Sequence, residues 1–236
     1  MSGHSPQTQS FATTRWTLVQ QSRGNGTASK QALSDLCAAY YAPVVAFIAR
    51  SGFEENSARD LAHDFFTRWL SQNQMLKPER ENGRFRSYLL GAVKHFVSDT
   101  LDKARAQKRG GGAEVVHLTE TGSVLPKDAA LTPDRAFDRQ WALTVLERVI
   151  AQLAEEFDAA GKPEHFALLK PWLTGDEGDA TQAQIAHELG MNEGALKVAI
   201  HRLRKRFRDL IKAEVAHTVG GEVDAREELT HLLAAI

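Results

Sequence analysis

The sequence predicts an all-α protein of two helical domains joined by a flexible linker, with a helix-turn-helix in the second domain. Apolar residues recur at helical spacing on both sides of residues 110–134, and β-branched runs are few. Residues 110–134 contain a triple glycine and two prolines, a composition typical of a linker. The predicted domains are therefore residues 1–109 and 135–212, followed by an acidic extension at 213–236.

Composition and charge limit the possible functions of the chain. The chain has 236 residues and a net charge of −1, so it is not uniformly basic. Its charge is segregated: Lys77–Arg109 holds nine cations and four acids, Lys197–Lys212 seven cations and one acid. Two basic segments in an otherwise acidic chain predict two separate contacts with nucleic acid.

The expected compartment is the cytoplasm. The single cysteine, Cys37, cannot form an internal disulfide, which suits a reducing environment. No apolar run approaches the length of a membrane span, and the N-terminal residues lack a signal-peptide core. We therefore expect no membrane partner.

In the first domain, SARDLAHDFFTRWLSQ predicts an amphipathic helix with Ser57 as its N-cap. Leu61, Phe65 and Trp69 follow one another at spacings of four, which places them on one face. The polar residues, including Asp60, lie opposite. Spacing alone leaves this polar face open to an ordinary solvated role or to a binding role.

A second helix is predicted from Phe85 to Arg109, with a basic exposed side that contains Tyr88 and His95. Aromatic side chains among cations suit single-stranded nucleic acid, because bases stack on aromatic rings. Aromatic residues at helical spacing are also common in protein cores, so both interpretations stay open.

In the second domain, the helical pattern resumes at Pro133, a residue favoured at a helix start.

The segment Thr181–Arg208 predicts two short helices joined by a turn at Gly190. Thr181 and Gln184 match a capping box, Gly190 permits a positive φ, and Asn192 can cap the second helix. The apolar residues of that helix are predicted on one side and its polar residues on a neighbouring side. The apolar set is Leu196, Ile200, Leu203 and Phe207; the polar set is Glu193, Lys197, His201, Arg204 and Arg208. Such a helix is typical of one that enters the DNA major groove.

Enzyme chemistry has little support. His187-Glu188 is not followed by the second histidine of an HExxH zinc motif, and Cys37 lies in an apolar run typical of a core. We predict no catalytic residue, no metal site and no cofactor. The acidic pair Glu227-Glu228 is expected to form a solvated face.

The C-terminal extension predicts a short amphipathic helix containing Val223, Leu229, Leu232 and Leu233. Two roles are open for this helix. It docks on the basic helix that follows Gly190 and restrains DNA binding, or it simply packs on the domain.

Taken in order, SARDLAHDFFTRWL, GRFRSYLLGAVKHFVSDTLDKARAQKR and TQAQIAHELGMNEGALKVAIHRLRKRF resemble segments of bacterial RNA polymerase sigma factors of the extracytoplasmic-function type. The resemblance covers roughly residues 33–109 and 146–212. It implies a protein that binds core RNA polymerase, recognises the minus-thirty-five and minus-ten promoter elements and helps to open the DNA. It also allows an anti-sigma factor as a partner.

The resemblance assigns roles to three groups of residues. Core polymerase would be bound by Asp60, Leu61, His63, Asp64 and Phe65. The minus-ten element would be bound within 82–109, chiefly by Arg84, Arg86, Tyr88, Lys94, His95 and Lys103. The minus-thirty-five element would be read by Glu193, Gly194, Lys197, His201, Arg202 and Arg204.

Two other hypotheses stay open. The chain is a helix-turn-helix regulator that acts without being a polymerase subunit, or it is a helical adaptor whose basic patches bind acidic partners. The first of these leaves the helix at Asp60–Trp69 and the basic segment Lys94–Arg109 without a shared purpose.

Overall fold

A computed structural model of the chain describes residues 27–71, 84–109, 131–174, 181–218 and 222–236, and every regular element in these ranges is an α-helix. The fold class predicted from sequence is therefore confirmed as all-α. The helices are α1 (Thr27–Arg50), α2 (Glu55–Ser71), α3 (Phe85–Arg109), α4 (Pro133–Ala159), α5 (Pro163–Leu169), α6 (Pro171–Thr174), α7 (Gln182–Glu188), α8 (Glu193–Ala216) and α9 (Glu222–Ala235). Most of the predicted linker, residues 110–130, lies outside the described ranges.

Helix α1 is central to the packing of the N-terminal half. It contacts α2, α3 and α4, and Tyr40, Val44 and Ile48 are almost completely buried. A helix covered on several sides needs apolar residues around much of its circumference, so it lacks a strong amphipathic pattern. Gly52, at φ +104°, reverses the chain after α1, a conformation that glycine adopts without steric cost.

Helix α2 begins earlier than the sequence suggested. Its first residue is Glu55, and the Ala58 amide donates to the Glu54 carbonyl at 2.8 Å. Ser57 therefore lies inside the first turn, and its prediction as N-cap is wrong. The turn at Gly52 ends α1 close enough for the next helix to start before Ser57, a tertiary constraint that local pattern does not contain.

Helix α4 contacts elements from both halves of the chain. Thr132 caps it through the Arg135 amide, and Pro133 opens it, as predicted. It packs against α1 and α8, and its buried residues Phe137, Trp141 and Leu153 belong to one contiguous apolar cluster that includes residues of both. Arg50 at the end of α1 also donates to the Leu131 carbonyl at 2.8 and 3.1 Å. The predicted domain boundaries stay a prediction.

The predicted C-terminal helix is present as α9, which contacts α4 and α8. Leu232 is fully buried, a burial that stabilises docking by roughly 1.5–3 kcal/mol. Leu233, in contrast, is largely exposed. Glu228 is also fully buried, so the expectation of a solvated Glu227-Glu228 face is wrong for Glu228. None of the helices in the described ranges combines the length and apolar character needed to cross a bilayer.

Candidate nucleic-acid interface

The turn between α7 and α8 has the local geometry predicted for it. The Gln184 amide donates to Thr181 Oγ1 at 3.3 Å, and the Thr181 amide donates to Gln184 Oε1 at 2.8 Å, completing the capping box. Gly190 has φ +64°, and Asn192 Oδ1 accepts from the Ala195 amide at 2.8 Å. These three hydrogen bonds, together with the positive φ of Gly190, fix where α8 begins and how it leaves α7.

Helix α8 buries one side and exposes a cationic side. Leu196, Ile200 and Leu203 are buried, and Phe207 is half-buried, as predicted. All six residues assigned by resemblance to the minus-thirty-five element are exposed: Glu193, Gly194, Lys197, His201, Arg202 and Arg204. Because cations at an exposed helix face can neutralise phosphates, this side can approach an anionic duplex.

Two arginines of α8 also have structural partners. Arg204 Nε donates to the Trp172 carbonyl at 3.0 Å, so this side chain ties α8 to α6. Arg206 forms an ion pair with Glu156 of α4 at 2.5 Å, and its hydrogen bonds hold the pKa of that carboxyl below the ordinary value. Sequence reasoning could not identify these partners, which lie 32 and 50 residues away.

An open cavity of about 750 Å³ lies beside the start of α8. Phe157, Leu169 and Val198 supply apolar walls, and Lys162 and Arg202 supply positive charge. Val198 is 49% exposed, the most exposed large apolar residue of α8. The resemblance assigned two lining residues, Gly194 and Arg202, to the minus-thirty-five element. The cavity itself was not predicted, because its apolar walls come from separate helices.

Helix α2 presents a solvent-facing surface that carries both signs of charge, and Asp64 on it pairs with Arg68 at 3.5 Å. Of the five residues assigned to core-polymerase binding, Asp60, His63 and Asp64 are exposed and Leu61 is half-buried. Phe65 is 3% exposed and packs against Phe96 of α3, so it supports the surface from within and cannot itself be a contact in this conformation.

His63 is held in place from a neighbouring helix. Its Nε2 lies 3.0 Å from the Tyr41 hydroxyl of α1, and the two rings lie 5.0 Å apart. This contact orients the imidazole on the same surface as Asp60 and Asp64. A rigidly presented group loses less conformational entropy when a partner binds.

Between α2 and α3 lies a cavity of about 410 Å³ with aromatic walls and a charged rim. Phe65, Trp69 and Phe96 line it, and Arg68, His95, Asp99 and Lys103 complete the lining with Ala92. The Arg68 guanidinium lies 5.5 Å from the centre of the Phe96 ring, and the buried Trp69 indole N–H has no hydrogen-bond acceptor. Aromatic faces beside cations are the groups on which unstacked bases bind.

Sequence reasoning assigned His95 and Lys103 to nucleic acid but not Arg68, Trp69 or Asp99. The missed residues lie on two helices, and only their packing brings them to one cavity. The available signal was the aromatic spacing of Phe65 and Trp69, which fits a core equally well.

The residues assigned to the minus-ten element differ in their surroundings. His95 and Lys103 are exposed, and Tyr88 is half-buried beside Phe85. Lys94 is half exposed and pairs with Asp134 of α4 at 2.8 Å. Arg84 pairs with Glu227 and lies 3.4 Å from Glu228 of α9.

Arg86 departs from the expectation of an exposed basic side. It is 4% exposed, donates to Glu228 Oε1 at 2.7 Å, pairs with Asp138 and lies over the Trp141 ring at 5.1 Å. Burial lowers the pKa of Arg86, but the hydrogen bonds and negative charges of Glu228 and Asp138 outweigh it and the pKa is raised. The expectation of exposure is therefore wrong for this residue, and in this conformation its guanidinium cannot reach a ligand.

The described residues provide neither an activated cysteine nucleophile nor a cluster of metal ligands. Cys37 is half-buried, and burial raises the pKa of its thiol, which disfavours the nucleophilic thiolate. No group of three or more metal-ligating side chains occurs within the described ranges.

Comparison with known proteins gives no significant match to a family model, a curated protein or a solved structure.

Proposed function

We propose that this chain is a sigma factor that joins core RNA polymerase, recognises two promoter elements and assists DNA opening. One observation carries the proposal. A cation-faced helix behind a capped glycine turn occurs in the same chain as an aromatic, cation-rimmed cavity. The first suits duplex DNA and the second suits unstacked bases, and transcription initiation needs both.

In this proposal, α7 and α8 form a helix-turn-helix that reads the minus-thirty-five element. The exposed first turn of α8, with Glu193, Gly194 and Lys197, would reach base edges, and the later cations would contact phosphates. This contact would fix the position of the chain on intact duplex DNA, upstream of the site where the strands open.

The cavity between α2 and α3 would bind bases of the opened minus-ten element. Extruding a base costs a few kcal/mol, which stacking on the half-buried Phe96 and contact with Lys103 can offset. The exposed acids of α2, Asp60 and Asp64, would bind a basic surface of core polymerase. The two DNA contacts then act together through effective concentration, and neither needs high affinity alone.

Association with core polymerase tests the proposal and separates it from a regulator that acts alone. Purified core enzyme and the chain are mixed and resolved by size-exclusion chromatography. A stable 1:1 complex is expected by analogy with a polymerase subunit, at protein concentrations of about 1 μM. Elution of the two as separate species, with the chain folded by circular dichroism, would sink the proposal.

A further inference from the structure

Four carboxylates from the C-terminal half of the chain meet the cations at the start of α3. Lys94 pairs with Asp134, Arg86 with Asp138 and Glu228, and Arg84 with Glu227 and Glu228. Half of the cations and aromatics assigned to the minus-ten element are thus already bound to anions. The pairs span up to 143 residues of sequence, so they depend on the docking of α4 and α9.

The contact made by α9 is the most enclosed of these. Glu228 is fully buried, and its two carboxylate oxygens face the Arg86 guanidinium at 2.7 and 3.3 Å. The backbone is also engaged, because the Phe85 amide donates to the carbonyl of Thr218, in the turn that follows α8, at 3.2 Å. The start of α3 is therefore covered both by α9 and by the chain that leads into it.

Carboxylates and phosphates are bound by arginine in the same way. A planar carboxylate and a tetrahedral phosphodiester each present two anionic oxygens that can accept two parallel N–H donors from one guanidinium. Glu228 accepts from both Nε and an Nη of Arg86, which is the two-donor arrangement that a phosphodiester would need. One guanidinium cannot satisfy both partners with the same donors, so they compete.

We propose that α9, aided by Asp134 and Asp138, is an intramolecular competitor for DNA at the start of α3. Arg84 and Arg86 become available to the DNA backbone only when α9 leaves. This inference rests on the proposed function, and it specifies how the minus-ten site of that function is regulated. It also moves the restraint from the basic face of α8, where the sequence had suggested it, to α3.

The strength of the competition depends on the fraction of molecules in which α9 is docked on α3. A segment of the same chain faces its site at an effective concentration of about millimolar, so the occupied state dominates whenever the contact is even moderately favourable. The apparent affinity for DNA is then reduced by the fraction of molecules in which α9 is detached. Weakening α9 must therefore raise DNA affinity without any change to a DNA-contacting residue.

The test removes the competing charges and leaves the arginines intact. The full chain carrying Glu227→Gln and Glu228→Gln is compared with wild type for binding to a short fluorescent single-stranded DNA of mixed sequence. The control carries Glu155→Gln and Asp158→Asn, an equal change of charge at exposed positions of α4. We expect the α9 variant to bind at least about fivefold more tightly and the control within about twofold of wild type.

Hydrogen exchange at the Phe85 amide provides a second measurement, because this amide donates a hydrogen bond to the Thr218 carbonyl, in the turn that follows α8. Faster exchange together with tighter binding supports the proposal. Equal gains in both variants, or faster exchange with unchanged DNA affinity, overturns it. Should the double variant fail to fold, Glu227→Gln alone alters only an exposed carboxylate, and a gain of about twofold is expected; no gain overturns the proposal. None of these outcomes depends on core polymerase, so the proposed function stands or falls separately.

Discussion

The buried carboxylate of Glu228 lies 2.7 Å from Nε of Arg86, although 142 residues separate them in sequence. Both side chains are almost completely removed from solvent, and Asp138 and the Trp141 ring complete the surroundings of the guanidinium. A buried charge is tolerated only with partners, so this pair joins the position of α9 to the state of α3. Four predictions concern this pair and the candidate interface.

Glu228→Gln should destabilise the chain by about 3 kcal/mol, because it leaves a buried guanidinium with one fewer charged partner. The loss lies near the lower end for a broken buried pair, since Asp138 still accepts from Arg86. Urea denaturation measures the free energy of unfolding. Glu227→Gln is the control, and its exposed carboxylate should contribute less than about 1 kcal/mol. Equal losses in the two variants would contradict a special role for Glu228.

Asn192→Ala should reduce stability by about 1 kcal/mol, because the Ala195 amide loses the side-chain oxygen that caps α8. Asn192→Asp keeps an acceptor at the helix start and should be close to wild type. The same denaturation experiment compares the three proteins. Indistinguishable urea midpoints for Asn192→Ala and the wild type would show that the cap contributes nothing to stability.

Asp60→Ala should weaken association with core polymerase about five- to thirtyfold, the equivalent of about 1–2 kcal/mol, while leaving duplex binding unchanged. Asp60 is exposed on α2, so the change should not disturb the fold. Glu55→Ala removes a carboxylate about 140° around the same helix and is the matched control. Surface-immobilised core enzyme and a titration of each variant give the affinities. Equal weakening by both changes would point to general charge rather than to this surface.

Lys197→Ala should lower affinity for duplex DNA and reduce the slope of log affinity against log salt by about 1. Core association should be unaffected, because Lys197 lies on α8 and the proposed core contact lies on α2. Lys212→Ala removes an exposed cation about four turns later on the same helix and serves for comparison. A salt slope that falls equally in both, or in neither, would remove Lys197 from the interface.

Local signals explain which parts of the fold could be predicted. The capping box at Thr181, the turn at Gly190 and the proline start of α4 each depend on residues within one helical turn, and the structure confirms all three. The start of α2 was misplaced because it depends on how the chain leaves α1. Boundaries of this kind are decided by tertiary contacts.

The candidate site was harder to predict, because its most consequential contacts are distant in sequence. Nothing near Arg86 indicates Glu228 as its partner. A signal did exist at Glu228 itself, which precedes the buried Leu232 by four residues and so shares its inward side. An acid on the buried side of a helix indicates a paired cation, but the sequence does not say which one.

Initiation of transcription tests the central claim most directly. Core polymerase is combined with the chain and a library of promoter fragments, and the RNA 5′ ends are sequenced. We expect start sites that require the chain and share two upstream elements, with initiation lost when Asp60→Ala and Lys197→Ala are combined. Initiation that is the same with and without the folded chain would contradict the proposal that it is a sigma factor.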